Sequence, residues 1–339
     1  MPCAIERLRQ QVHQGGIVIG RARFRLPAGL TVRAQQAVGA RREPAAAPRD
    51  SATVMLLRPA AGDPGLEVYM LRRKQSMPFA PGAYVFPGGS VDVRDADADV
   101  AWSGPDVTEW ARWLGSTPAL ARGLLCAAVR ETFEESGVLL AGTSPDDATM
   151  PPAEDLEPDR LALLDRSLSL AGLLARRGLV LRSGQLKPWA RWITPELESR
   201  RYDTRFFAAV LPAGQRTREI RDEADQFGWL RPANVLAAAG RGEVALMPPT
   251  AVTLAELAGC GDVPAVLATP REITPLQPEI TLEGGHAWLT MPTGLEYPLW
   301  RPIGRASPAA PPRARRHPGR STVPAAGQRG ASWPRIRLR

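Results

Sequence analysis

Three glutamates stand close together near the middle of the chain, at positions 131, 134 and 135. In a helix, positions separated by three and four residues share one face and lie within one turn. Three carboxylates this close repel one another, and a hard divalent cation such as Mg²⁺ would relieve the repulsion because it takes oxygen ligands. The spacing alone is also typical of a solvated acidic helix face, which is common for runs of charge, so both interpretations are open at this point.

The residues around these glutamates predict the elements that must position them. Ala119–Ser136 lacks Pro and is rich in helix formers, and Gly137 is a typical helix end. Two apolar runs around a turn, Ala52–Leu57 and Leu66–Leu71, predict a β-hairpin. Ala83–Phe86 predicts a further short strand, which a Pro-Gly-Gly turn ends.

The rest of the pattern mixes strands and helices. The further predicted elements are strands at Trp189–Ile193 and Arg205–Leu211 and helices at Thr108–Leu114, Leu161–Arg176, Pro232–Ala239 and Pro249–Leu257. Strands come first, then a helix, then more strands and helices. This order predicts an α+β fold with a mixed sheet, and it argues against a doubly wound parallel sheet.

The charge of the chain is concentrated at its two ends. The total is +8, but residues 301–339 carry ten arginines without an acidic residue, and residues 1–50 carry nine arginines against three acidic residues. The remaining body, residues 51–300, therefore has a net charge of −8. Because a negatively charged domain repels the phosphates of a nucleic acid, we do not expect a nucleic-acid partner. We expect one folded domain over 51–300, a basic and partly disordered extension over 1–50, and an Arg- and Pro-rich disordered tail over 301–339.

The composition also excludes several classes of protein. No run reaches the roughly 18–20 uncharged apolar residues of a membrane span, so no membrane partner is expected. The three cysteines are widely spaced and a secretory signal pattern is absent, which predicts a cytoplasmic location. Neither a Gly-x-Ser-x-Gly elbow nor a Walker-type phosphate loop occurs, so an α/β-hydrolase and a P-loop kinase or ATPase are excluded.

The glutamates and the Pro-Gly-Gly turn together resemble the signature of the Nudix hydrolase family. That signature reads Gly, five residues, Glu, seven residues, then Arg-Glu-apolar-x-Glu-Glu-x-Gly-apolar. Its second half is matched at Arg130, Glu131, Glu134, Glu135, Gly137 and Val138, with Thr132 where an aliphatic residue is usual. Gly89 matches the first half, but Arg130 follows it by 41 positions where the signature has fourteen, so about 27 residues are inserted. Asp95 stands where the signature has its first Glu.

A split signature is similar to that of the peroxisomal acyl-coenzyme A diphosphatases and their bacterial relatives, which carry an insertion at this point. Here the insertion covers residues 93–119. The resemblance extends over roughly residues 50–260. It includes further matching segments at Arg72-Arg73, Phe86–Asp92, Trp192–Pro195, Arg201–Phe207 and Met247–Thr250.

The resemblance implies a Nudix-type α/β/α sandwich, with a helical insertion inside the signature, that hydrolyses a diphosphate linkage with Mg²⁺ or Mn²⁺. The implied partner is a small diphosphate substrate, with CoA or acyl-CoA favoured. Two alternatives stay open. The enzyme would act on another nucleoside diphosphate derivative, such as ADP-ribose, NADH or a nucleotide sugar, or the chain would bind a nucleotide without turnover. The sequence leaves the oligomeric state open, a homodimer included.

The resemblance also implies roles for individual residues. The metal ligands would be Glu131, Glu134 and Glu135, with Arg130 orienting them and Glu134 and Glu135 taking part in catalysis. The general base would be Glu223, with Asp222 and Asp225 as alternatives. The groups expected to bind the substrate phosphates are Arg72, Arg73, Arg201, Arg205, Gly88 and Gly89.

Overall fold

The structure is a computed structural model that describes residues 23–25, 31–32, 34–36, 45–62, 64–77, 80–96, 100–143, 156–218 and 224–291. These residues belong to one unit, Met1–Gly304, and a second unit, Arg305–Arg339, lies outside the described residues. The expected domain limits, the tail over 301–339 and most of the extension over 1–50 therefore stay predictions.

Three sheets are formed by the described strands. The strands are β1 (Arg23–Arg25), β2 (Arg49–Pro59), β3 (Leu66–Arg73), β4 (Ala83–Val85), β5 (Gly88–Ser90), β6 (Trp102–Ser103), β7 (Ala141–Gly142), β8 (Val180–Arg182), β9 (Leu186–Ile193), β10 (Tyr202–Val210), β11 (Ala224–Leu230), β12 (Ala245–Leu246), β13 (Pro275–Leu276), β14 (Glu279–Glu283) and β15 (His286–Thr290). The largest sheet has nine strands in the order β12-β4-β3-β2-β10-β9-β13, with β11 paired to β3 and β5 paired to β2. The smaller sheets have the orders β1-β15-β14 and β6-β8-β7.

Helices flank the nine-stranded sheet. The described helices are α1 (Val93–Ala96), α2 (Val107–Leu114), α3 (Pro118–Ser136), α4 (Glu157–Leu164), α5 (Leu170–Arg177), α6 (Pro232–Gly240), α7 (Pro248–Cys260) and α8 (Val263–Ala268). We call α3 the glutamate helix. Among the described helices, none combines the length and the apolar character that a bilayer crossing requires.

Strand β2 lies at the centre of the nine-stranded sheet and organises both cores. It runs parallel to β10 and antiparallel to β3, with which it forms the predicted hairpin. Its side chains alternate between two buried faces, so Ala52, Val54 and Leu56 join one apolar cluster while Met55 and Leu57 join the other. The glutamate helix covers the first cluster, and α6, α7 and α8 cover the second. A mixed sheet between two helical layers confirms the predicted α+β class.

The insertion within the signature is part of the core. Trp110 of α2 is fully buried and packs edge-on against Trp113 and Phe207, and the side chain of Leu114 is also buried. Thr117 accepts a hydrogen bond from the backbone N–H of Leu120 and so caps the glutamate helix, which begins inside the predicted insertion. The inserted segment therefore contributes to the folding of the domain.

One predicted helix is wrong. The sequence pattern over Leu161–Arg176 predicts a single amphipathic helix, but the structure divides this region into α4 and α5. Arg166 between them has a φ of 64°, which a right-handed helix cannot accommodate. Ser169 then caps α5 by accepting a hydrogen bond from the backbone N–H of Gly172.

Candidate active site

The last two turns of the glutamate helix carry the three clustered carboxylates. Glu134 is buried, with 7% of its surface exposed, and Glu131 and Glu135 are half-buried. The helix ends at Ser136 and is capped by Gly137, whose φ of 74° is left-handed and whose backbone N–H donates to the carbonyl of Phe133. A left-handed glycine directly after the glutamates therefore fixes where the helix stops relative to the carboxylates.

Strand β5 brings two glycines against these carboxylates. The backbone N–H of Gly88 donates to Oε2 of Glu135 at 2.9 Å. A Cβ atom added to Gly89 would stand 2.2 Å from Oε1 of Glu131, which is far too close for any side chain. The carboxylate of Glu131 thus occupies the space that a larger residue at position 89 would need, and this contact explains the glycine.

Arg130 connects the strand and the carboxylates. Its Nη1 donates to Oε1 of Glu131 at 2.7 Å and lies 3.3 Å from Oε2 of Glu134. Its Nη2 donates to the backbone carbonyl of Ser90 at 2.9 Å. One buried guanidinium therefore contacts two of the glutamates and the end of β5.

Asp95 completes this cluster, although its place in the sequence assigned it no role. It lies on α1 inside the insertion, with 3% of its surface exposed, and accepts hydrogen bonds from Nε and Nη2 of Arg130 at 3.2 and 2.9 Å. The backbone N–H of Asp92 donates to the same carboxylate at 2.9 Å. The sequence did contain a signal for Asp95 as a residue of the site, because Asp95 stands where the family signature has its first Glu.

Burial and mutual repulsion shape the ionisation of the glutamates. Burial raises the pKa of Glu131 to about 7, an effect that Arg130 opposes and Glu134 reinforces. Burial also raises the pKa of Glu134, again opposed by Arg130. Burial alone would lower the pKa of Arg130, but the charges of Glu131, Asp95 and Glu134 raise it overall, so this guanidinium stays protonated.

The chemistry of the three glutamates fits a hard divalent cation. Carboxylate oxygens are the donors that Mg²⁺ and Mn²⁺ take, and here three carboxylates stand at positions i, i+3 and i+4 near the end of one helix, beside a glycine-containing strand. Each carboxylate nevertheless has a donor within the protein, namely Arg130 or Gly88. With the side chains in this arrangement, the described ranges contain no group of three or more Asp, Glu, His or Cys residues that could hold a metal ion.

Arg72 and Arg73 lie where β3 ends beside the start of β11. Arg72 donates from Nε and Nη2 to both oxygens of Asp225, each at 2.7 Å, so that this alternative base is ion-paired. Arg73 is in register with Ala224. Glu223 directly precedes Ala224 in the chain, and both Glu223 and Asp222 lie outside the described residues, so the assignment of the base stays a prediction.

Arg201 and Arg205 lie at the start of β10. In the described part of the chain, neither arginine is seen in contact with Glu131, Glu134 or Glu135. Arg201 is buried and donates to the backbone carbonyls of Thr194 and Ala46 at 3.1 and 2.8 Å. Arg205 is also buried and pairs with Asp50 and Asp203 at 2.7 and 3.0 Å. These contacts hold the first residues of β2 and β10 together, a role that the sequence did not reveal.

Comparison with known proteins identifies the family. The crystal structure of a NUDIX hydrolase from Alicyclobacillus acidocaldarius superposes with a TM-score of 0.57 at 30% sequence identity, covering 67% of this chain and 98% of that chain. The chain belongs to the Nudix hydrolase family. Residues 116–257 also match the family model described as the NUDT19 Nudix domain, a range that begins just before the glutamate helix.

Curated relatives of this Nudix chain agree with the predicted subgroup. The acyl-coenzyme A diphosphatase NUDT19 of Gallus gallus is 27% identical over 300 residues, covering 71% of this chain and 74% of that protein. The protein of the same name from Xenopus laevis is 28% identical over 228 residues, covering 56% of this chain and 59% of that protein. This chain therefore spans between about three fifths and three quarters of these relatives. The predicted family, fold and hydrolase class are confirmed, and these relatives support the predicted subgroup.

Proposed function

We propose that this Nudix chain hydrolyses the diphosphate linkage of CoA or acyl-CoA with the help of a divalent cation, Mg²⁺ or Mn²⁺. The observation that carries the proposal is the cluster of Arg130, Glu131, Glu134 and Glu135 at the end of the glutamate helix, packed against Gly88 and Gly89. Arg130 supplies one positive charge against these three buried or half-buried carboxylates, and a divalent cation would offset the negative charge that remains. The names of the curated relatives support the CoA part of the proposal.

The residues of the cluster have separate tasks in this reaction. Glu131, Glu134 and Glu135 would hold the cation. When bound, Mg²⁺ would neutralise diphosphate oxygens and lower the pKa of a coordinated water. Arg130 would remain anchored by Asp95 with the cation bound, because the hydrogen bonds between Arg130 and Asp95 do not involve the three glutamates. A carboxylate, for which Glu223 is our candidate, would take the proton of the attacking water.

The bond changes follow from the chemistry of a diphosphate. The water oxygen would form a bond to one phosphorus while the bond between that phosphorus and the bridging oxygen breaks, so that the other phosphate leaves with the bridging oxygen. For acyl-CoA the two products would be adenosine 3′,5′-bisphosphate and an acyl-phosphopantetheine. Arg72 and Arg73, the last two residues of β3, are our candidates for contacts with the substrate phosphates.

A substrate screen tests the proposal. Purified protein would be incubated with Mg²⁺ and, in parallel, with CoA, an acyl-CoA, ADP-ribose, NADH or a nucleotide sugar, and the products would be resolved by chromatography. We expect adenosine 3′,5′-bisphosphate from CoA and acyl-CoA, its formation abolished by EDTA and restored by Mg²⁺. Faster cleavage of ADP-ribose or NADH would refute the CoA assignment. Nucleotide binding without cleavage of any compound would instead indicate a binding module.

A further inference from the structure

A second buried arginine contacts the end of the glutamate helix from outside the signature. Arg160 of α4 has 5% of its surface exposed, and its Nη1 donates to the backbone carbonyl of Glu134 at 3.0 Å. Its other donors, Nε and Nη2, bind the two carboxylate oxygens of Glu157 at 3.0 and 2.6 Å. The guanidinium is thereby fixed in orientation by Glu157 and directed at the helix.

Glu157 also binds a second arginine that contacts the same helix end. Nη1 of Arg218 is paired with Oε2 of Glu157. The backbone N–H of Arg218 donates to the carbonyl of Ser136, the last residue of the glutamate helix, at 2.8 Å. A Cβ on Gly137 would stand 2.8 Å from Cδ of Arg218, so the arginine side chain lies directly against the helix end. Glu157, Arg160 and Arg218 form what we call the helix clamp.

The helix clamp meets a physical need of this particular helix end. The last carbonyls of a helix have no partner within the helix, and the end carries a partial negative charge. Here three carboxylates add to that charge. Two guanidiniums against one carboxylate give the clamp a net positive charge, and its donors satisfy the carbonyls of Glu134 and Ser136. Burying the charge of Arg160 costs free energy unless its donors are hydrogen-bonded. The bidentate pairing with Glu157 supplies both a negative charge and two acceptors.

We propose that Arg160, held by Glu157, is a positioning residue that sets the backbone of Glu134 and thereby the carboxylates that bind the divalent cation. This inference rests on the proposed function, because it assigns the clamp to the metal ligands. Arg160 would then be a determinant of metal affinity that lies outside the signature, 26 positions after Glu134 in the chain. Arg160 itself does not touch the reacting atoms.

The test measures Mn²⁺ binding directly, by electron paramagnetic resonance of the full chain, so that it does not depend on turnover. Arg160→Met removes the contact with Glu134, and Glu157→Gln loosens both arginines while preserving shape. Arg177→Met is the matched control, because Arg177 pairs with buried Asp159 of the same helix α4 at 2.6 Å. We expect the Mn²⁺ dissociation constant to rise about 10-fold in Arg160→Met and by a smaller factor in Glu157→Gln, with Arg177→Met unchanged.

Each other outcome has a definite meaning. Wild-type Mn²⁺ affinity in both Arg160→Met and Glu157→Gln would overturn the inference and leave the proposed function standing. An equal loss of affinity in Arg177→Met would also overturn it, because a general loss of stability would then explain the effect. If Arg160→Met fails to fold, Glu157→Gln decides alone. Absence of Mn²⁺ binding by the wild type would refute the proposed function and this inference with it.

Discussion

Arg130 and Asp95 form a buried ion pair across the inserted segment, with Nη2 of the arginine 2.9 Å from Oδ2 of the aspartate. The signature residues Gly89 and Arg130 are 41 positions apart in the chain, yet Arg130 also contacts Ser90. Folding therefore reunites the two halves of the split signature, and Asp95 holds Arg130 in the orientation in which it faces the glutamates.

The first prediction concerns this ion pair. Asp95→Asn keeps the size of the side chain but removes the charge that anchors Arg130, so the glutamates lose their fixed neighbour. We expect kcat to fall by about 10- to 100-fold, with a lowered melting temperature because the buried Arg130 loses one of its charged partners. The matched control is Asp92→Asn, since Asp92 pairs with the more exposed Arg94. Equal kcat values for Asp95→Asn and the wild type would contradict the prediction.

The second prediction concerns a metal ligand. Glu134→Gln should reduce turnover by at least about 100-fold, because the substitution removes a charged oxygen donor for the cation. The melting temperature without metal should change little, since burial already disfavours the charged form of Glu134. Kinetics and thermal unfolding of the same preparations check both points. Exposed Glu196 provides the control Glu196→Gln, and wild-type turnover in Glu134→Gln would remove Glu134 from the metal site.

The third prediction uses the close contact at Gly89. In Gly89→Ala the added Cβ would stand 2.2 Å from Oε1 of Glu131, so either the strand or the carboxylate must move. We expect a loss of metal affinity and of turnover, measured by Mn²⁺ titration and by product formation. Gly240→Ala is the control, because a Cβ added there would meet no atom within 4 Å beyond the adjacent residues and the backbone of its own helix. Equal metal affinity and equal turnover in Gly89→Ala and Gly240→Ala would show that the contact between Gly89 and Glu131 does not matter for function.

The fourth prediction is a pH dependence of the metal-free protein. Burial raises the pKa of Glu131 from 4.5 to about 7, so between these values the folded chain binds a proton that the unfolded chain has lost. The free energy of unfolding should therefore fall as the pH rises from about 4.5 to about 7. Glu131→Gln removes this contribution. Denaturant titrations in EDTA at a series of pH values should show the wild type losing stability relative to Glu131→Gln, and parallel curves would contradict the prediction.

Local features of the site were predictable because neighbouring residues determine them. The helix over the glutamates, its end at Gly137 and the hairpin of β2 and β3 depend on periodicity, capping and turn residues, which are properties of short segments. The division of the predicted helix over Leu161–Arg176 shows the limit of this reasoning. Its apolar pattern continues through Arg166, but the backbone there turns to a positive φ.

The sequence by itself determined that three carboxylates share the end of one helix, and through the split signature it indicated the family. Only the tertiary structure decided which groups surround those carboxylates. Asp95 reaches Arg130 across 35 positions, and Arg160 reaches the carbonyl of Glu134 across 26. The physical reason is that periodicity records which side chains are buried, whereas the partner of a buried charge depends on how distant segments pack.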